Sequence, residues 1–177
     1  MKRLTLSVLG AASMTFVMHL GHAADLTLSP PVSPACVSSP FGWRHAVGPH
    51  APAGFHNGVD LPAPAGALVH AAAAGTITAV RRQGLGGVSV RIAHASGLET
   101  LYAHLGNLVP AVSEGRRHVL AGEPLGHVAR TGVTYGTHLF FAVFAGGQAV
   151  DPAKLIGVEP CAKERHADDQ EDPAGLG

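Results

Sequence analysis

Charge and aromatic character are both scarce in this 177-residue chain: Asp, Glu, Lys and Arg make up 14% of it, and Phe, Trp and Tyr 5%. The 12 basic residues are matched by 12 acidic ones, and no basic stripe runs along the sequence. Nucleic acid is therefore not an expected partner, because tracking a phosphate backbone needs clustered Lys and Arg. A sustained helical period is missing too, so helices are not expected to build the domain. Long hydrophobic runs are absent with one exception, Leu4 to Leu20. That stretch is short and is diluted by Ser7, Ser13, Thr15 and His19, whereas a membrane anchor wants about 20 strongly apolar residues. Lys2 and Arg3 precede it and Gly21-His22-Ala23 follow it. The segment reads as a signal peptide over residues 1–23, which predicts a periplasmic or secreted protein with no stable membrane anchor after cleavage. No Cys follows directly, which argues against a lipid-modified N-terminus.

Cysteine is limited to Cys36 and Cys161, which bracket the patterned part of the chain. In an exported protein an even count favours a disulfide, here one that ties the two ends of a domain together. The expected organisation is a lead-in over 24–35, a single domain over 36–161, and a charged tail over 162–177. The tail contains Pro and Gly and lacks periodicity, so disorder is expected there. Removing Lys2 and Arg3 leaves a slightly acidic chain, with much of the acid between Glu164 and Asp172. The twelve histidines add positive charge as pH falls through about 6.5.

Short β-like runs, broken by Gly and Pro, fill the domain: Gly66 to His70, Gly75 to Arg81, Val88 to His94, Thr100 to Leu105, Val119 to Val128 and His138 to Phe144. Such spacing predicts an all-β sandwich or barrel with short loops and little helix. The run Ala71 to Ala74 stops at Gly75 and is too short for a stable helix, so a turn is predicted.

Three segments carry chemistry. His56-Asn57-Gly58-Val59-Asp60 offers a His and a carboxylate four residues apart. A straight strand would hold them about 13 Å apart, but Asn57-Gly58 is a strong turn dipeptide that can bring both to one point. Tyr102-Ala103-His104 supplies a second His, and His138-Leu139-Phe140 a third. Residues 138 and 140 share a strand face, so Phe140 presents a dry ring beside His138. A catalytic zinc takes three protein ligands and a water, and the bound water acquires a lowered pKa. His56 and Asp60 supply two ligands of such a set, and His104 and His138 are placed to orient water or move a proton.

From Ser39 to Leu155 the chain resembles the lysostaphin-type, LytM-like zinc metallopeptidases, which cleave peptide cross-links in peptidoglycan. The resemblance rests on Ser39-Pro40-Phe41-Gly42-Trp43-Arg44, His56-Asn57-Gly58-Val59-Asp60, Tyr102-Ala103-His104-Leu105, Val119 to Gly126, Thr131-Gly132, Gly136-Thr137-His138-Leu139 and Val150-Asp151-Pro152, in that order. It implies a compact antiparallel β-fold with a groove across one sheet and a zinc site in that groove. It implies that His56 and Asp60 are metal ligands and that His104 and His138 are the catalytic histidines. The third ligand of the family falls on Phe140, and the acidic residue that often follows falls on Ala142. Zn2+ binding is therefore expected to be weak or absent unless a loop residue such as His45 or His50 substitutes. Peptidoglycan is the expected partner. Some members of this fold without a full zinc site activate cell-wall amidases, so an amidase is the alternative partner. Val119 to Val128 also resembles a biotinyl or lipoyl carrier turn, but no Lys sits there to carry a cofactor. His70, His94, His118 and His127 fall outside these motifs and are assigned no function.

Overall fold

In the computed structural model the described residues are 27–46 and 53–162. The expected signal peptide, His50 and the tail beyond Ala162 lie outside them. Eleven strands are formed: β1 (Gly42–Arg44), β2 (Gly54–His56), β3 (Val59–Pro62), β4 (Leu68–His70), β5 (Gly75–Arg81), β6 (Val88–Ala93), β7 (Leu98–Leu108), β8 (His118–Val119), β9 (Pro124–Val128), β10 (His138–Ala145) and β11 (Gln148–Val150). Two short helices, α1 (Pro110–Ser113) and α2 (Pro152–Ile156), complete the described elements. The expected all-β antiparallel architecture is observed.

The six runs read from the sequence all contain strands, but with differences. Val119 to Val128 is split into β8 and β9 by a turn at Gly122, whose φ of 75° suits glycine. β1, β2, β3 and β11 were not anticipated, because each is only three or four residues long, too short for an alternating pattern to stand out. The Ala71–Ala74 segment is a turn, as predicted. The lead-in is more tightly held than its composition suggests: Leu28 and Val32 are buried in the core, and Ser29 N–H donates to the Ala72 carbonyl.

Nine strands form one sheet, with β11-β10-β7-β6-β5-β8 as its main path. β3 pairs with β10, and β9 pairs with β4 and β7. β1 and β2 make a separate two-stranded ribbon. Alternation decides which face each residue takes. Val59 and Leu61 on β3, Leu139, Phe141 and Val143 on β10, and Val90 and Ile92 on β6 are fully buried. Each such side chain contributes about 1.5–3 kcal/mol on burial. Their neighbours Asp60, His138 and Phe140 are thereby turned to the opposite face.

β7 is long because, with β6 along one edge, it serves two partners in succession along the other. Residues 98–103 pair with β10, and residues 105–108 pair with β9. His104 sits at the changeover with φ of 61°. It is the one described non-glycine residue in the left-handed region, a conformation that costs free energy and persists only where surrounding contacts enforce it.

Tyr102 is wholly buried rather than lying on the sheet surface. Its hydroxyl accepts from Ala72 N–H at 2.8 Å and shares a hydrogen bond with Thr100 Oγ1 at 3.0 Å. Thr100 in turn meets His94 Nε2 at 2.9 Å, and His94 Nδ1–H donates to the Ala74 carbonyl. His94, outside every motif, is thus part of a buried polar chain that anchors the Ala71–Ala74 turn. Burial pushes the Tyr102 phenol up to about 12. Cys36 and Cys161 form the expected disulfide, with Cα atoms 4.7 Å apart. Next to it Val37 N–H donates to the Glu159 carbonyl and Cys161 N–H to the Val37 carbonyl.

Two outcomes are expected from this core. Tyr102→Phe should cost about 1–3 kcal/mol in urea unfolding, because it strands the Ala72 N–H in a dry interior. Replacing both cysteines by Ser should lower stability by about 4–5 kcal/mol, the chain-entropy value for a loop of this size, with the unchanged circular dichroism spectrum of the folded variant checking that the fold itself persists.

Candidate functional site

A groove of about 950 Å³ crosses the open face of the sheet. β2 ends at His56 and β3 begins at Val59, so Asn57-Gly58 makes the bend that the sequence predicted. The bend sets His56 Nε2 3.3 Å from Asp60 Oδ1. β10 lies beside β3, and His138 Nε2 approaches the same oxygen at 3.3 Å. The His104 ring stands edge-on to the His138 ring, with centroids 5.2 Å apart. The four residues singled out from the sequence therefore converge in one groove.

Backbone carbonyls orient two of the imidazoles. His56 Nδ1–H donates to the Pro40 carbonyl at 2.9 Å, and His104 Nδ1–H donates to the Thr131 carbonyl at 2.9 Å. A carbonyl only accepts, so Nδ1 carries the proton in both rings and Nε2 is the nitrogen left for other work. Thr131 is itself fixed. Its hydroxyl donates to the Leu105 carbonyl at 2.6 Å and accepts from Val88 N–H at 2.9 Å. Neither Pro40 nor Thr131 was assigned a role from the sequence. Both lie in motif segments, Ser39 to Arg44 and Thr131-Gly132, and that placement was the signal available.

Asp60 is the electrostatic centre. Burial pushes its carboxyl up, but the hydrogen bond from His56 and the positive charges of His138, His56 and Arg44 outweigh this and hold it below the usual carboxylate value. Arg44 stands 3.8 Å from Asp60 Oδ2 and donates to Ser39 Oγ at 2.9 Å. His138 is pushed down from its ordinary value by burial, partly offset by Asp60 and reinforced by His104, His56 and Arg130.

Phe140 pairs with Asp60 on one side and Ala103 on the other. Its ring centroid is 5.4 Å from that of His56 and 6.1 Å from that of His104. A Cβ at Gly58 would lie 2.7 Å from the ring edge and 2.6 Å from the Phe141 carbonyl oxygen. Only glycine fits there with the ring in place. Ala142, two residues further along the strand, is fully buried.

The donor chemistry can be compared with a catalytic zinc, which needs three protein ligands. His56 Nε2 and the Asp60 carboxylate are suitable donors, and His56 has the backbone partner on Nδ1 that metal-bound imidazoles have. The third position is a hydrocarbon ring. Among the described residues no three His, Cys, Asp or Glu side chains are gathered so as to hold an ion. His45 lines the same groove but is exposed, and no hydrogen bond or ion pair joins it to His56 or Asp60 among the described residues. The residues present do not fit a three-ligand zinc centre.

Residues 54–152 match the model of peptidase family M23, so the chain belongs to that family. It is 42% identical over 119 residues to the DD-carboxypeptidase/endopeptidase Mpg of Neisseria meningitidis, a match covering 67% of this chain and 26% of the Neisseria protein. The chain thus spans about a quarter of the length of the curated relatives it matches. Among solved structures it is similar to a putative M23 peptidase of Pseudomonas aeruginosa, at 31% identity and a TM-score of 0.61, over 75% of this chain and 51% of that one. A zinc-containing peptidase of Vibrio cholerae shares the fold at 24% identity and a TM-score of 0.63, over 77% of this chain and 41% of that one.

The half-buried imidazole of His138 sets a pH dependence. Its pKa is lowered in the folded state, so the unfolded chain takes up the proton first and stability falls as pH drops through about 6.5. His138→Gln should reduce the loss of stability between pH 7.5 and 5 relative to wild type, measured by urea midpoints at both values.

Proposed function

We propose that this M23 protein is exported to the cell envelope and acts on peptidoglycan peptides, with zinc-dependent hydrolysis impaired at Phe140. His56 and Asp60 are read as what remains of the metal ligand set. His104 and His138 are read as the groups that would position water and move a proton at the scissile peptide. The reading draws on the family membership and on relatives named for DD-endopeptidase activity. The observation that carries it is the position of Phe140, in register with Asp60 and between the rings of His56 and His104. Loss of partners that merely orient a metal ligand costs about 10–100-fold in affinity or activity, and loss of a ligand costs at least as much.

A groove that keeps its walls and loses its donor remains a binding surface. The same observation therefore favours a second reading, a non-catalytic member that binds peptidoglycan or activates a cell-wall amidase. Export rests on the N-terminal segment of the sequence. No helix among the described residues is long and apolar enough to cross a membrane.

The expected metal content of the full chain, purified without added zinc, is well under one equivalent. Phe140→His should raise zinc affinity at least 10–100-fold and increase release of soluble peptides from purified peptidoglycan. A full equivalent of zinc retained by wild type through mild chelation, or an active wild type that gains nothing from Phe140→His, would overturn the impaired-site reading. Stimulation of a purified amidase by the unaltered chain, with no digestion by the chain alone, would select the second reading.

A further inference from the structure

One row of residues runs across the groove floor. It steps from Asp60 on β3 to Phe140 on β10 and Ala103 on β7, crosses the bulge at Ser89 on β6, and ends at Arg81 on β5. All five line the groove. Four strand spacings separate its ends, so Asp60 and Arg81 lie about 19 Å apart. The middle of the row carries a ring, a methyl and a hydroxyl and no charge.

The cations of the groove differ in what they do. Arg44 is held by Asp60 and Ser39. Arg91 donates to Glu99 at 2.6 Å and covers the Phe144 ring, 4.5 Å from its centroid. Arg81 is exposed, and among the described residues it makes no ion pair or side-chain hydrogen bond. Among the described residues Asp60 is the one carboxylate lining the groove, and it is already balanced by its own neighbours. The far end of the floor is thus a positive charge with an open two-pronged donor face.

We propose that Arg81 receives a free carboxylate of a peptide laid across the strands, with the peptide reaching back over Ser89 and Ala103 to the histidine cluster. This rests on the reading of the groove as a peptide site and adds the ligand class: an anionic peptide, about five or six extended residues long at about 3.3 Å each. A guanidinium matches a carboxylate with two parallel N–H donors, which selects a carboxylate over an amide. Ser89, opposite Arg81 on β6, adds a hydroxyl at the same place.

The test uses the full chain and stem peptides released from purified peptidoglycan, compared with the same peptides after their carboxylates are amidated. Arg81→Ala and Arg82→Ala are measured beside wild type by calorimetry at low and raised salt. Arg82 is the control because it removes the same charge one residue on, where the side chain does not line the groove. The expected result is about 10-fold or greater weakening by amidation or by Arg81→Ala, with the two losses not adding. Arg82→Ala should change affinity less than 2-fold, and raised salt should weaken the free-carboxylate peptide more than the amidated one. Equal binding of both peptides by wild type, or equal losses from Arg81→Ala and Arg82→Ala, would overturn the carboxylate site and leave the peptide groove standing. No binding of either peptide would instead overturn the peptide groove itself.

Discussion

The register of β10 between β3 and β7 is the constraint on which the site depends. Leu139 and Phe141 are buried at the same time as Val59 and Leu61 opposite them. A slip of β10 by one residue would expose Leu139 and Phe141 and turn His138 and Phe140 into the core instead. Several kilocalories per mole of apolar burial therefore oppose any rearrangement that would move residue 140 off the groove floor. His138 is delivered to Asp60 by the same register, so the histidine contact and the position of the ring come from one cause.

A carboxylate partly withdrawn from water, as Asp60 is, is costly unless it is compensated. Asp60 is compensated entirely by its own chain: two imidazoles at 3.3 Å from one oxygen and a guanidinium beside the other. His56 is in turn held by the backbone carbonyl of Pro40, and His104, which stands edge-on to His138, by that of Thr131. The left-handed backbone of His104 belongs to this arrangement. β7 must turn from β10 to β9 at that point, and the hydrogen bond to Thr131 fixes the ring that the turn delivers. Positioning in this groove is thus a product of strand exchange as much as of side-chain contact.

How much of this the sequence made legible follows from the range of each interaction. The Asn57-Gly58 bend is local, and its consequence for His56 and Asp60 could be read directly. The shared face of His138 and Phe140 follows from period two along one strand. The longer strands announced themselves by pattern, and β1, β2, β3 and β11 did not, because three or four residues carry too little alternation. The changeover at His104, the clamp at Thr131 and the buried chain from Tyr102 through Thr100 to His94 were not legible. The changeover and the clamp join segments tens of residues apart, the buried chain closes on the distant backbone of Ala72 and Ala74, and nothing local in Tyr-Ala-His distinguishes a strand that changes partners from one that does not. The packing of the lead-in was hidden for the same reason: Leu28 and Val32 look isolated in sequence and find their partners only in the folded core.

The fold does not require a metal donor at residue 140, and this explains how a ring can stand there. The backbone of residue 140 is held by the ladders to Asp60 and Ala103, whatever its side chain. The ring rests against the bare Cα of Gly58, where any larger residue would collide with it and with the Phe141 carbonyl. Gly58 also lies in the bend between His56 and Asp60. The turn that gathers the polar groups therefore contains the space that admits an apolar one. A donor at 140 can be exchanged for Phe with the Asp60 cluster still assembled and the core untouched. Fold and chemistry are separable at this position, and a family resemblance spread over the whole domain says more about the first than about the second.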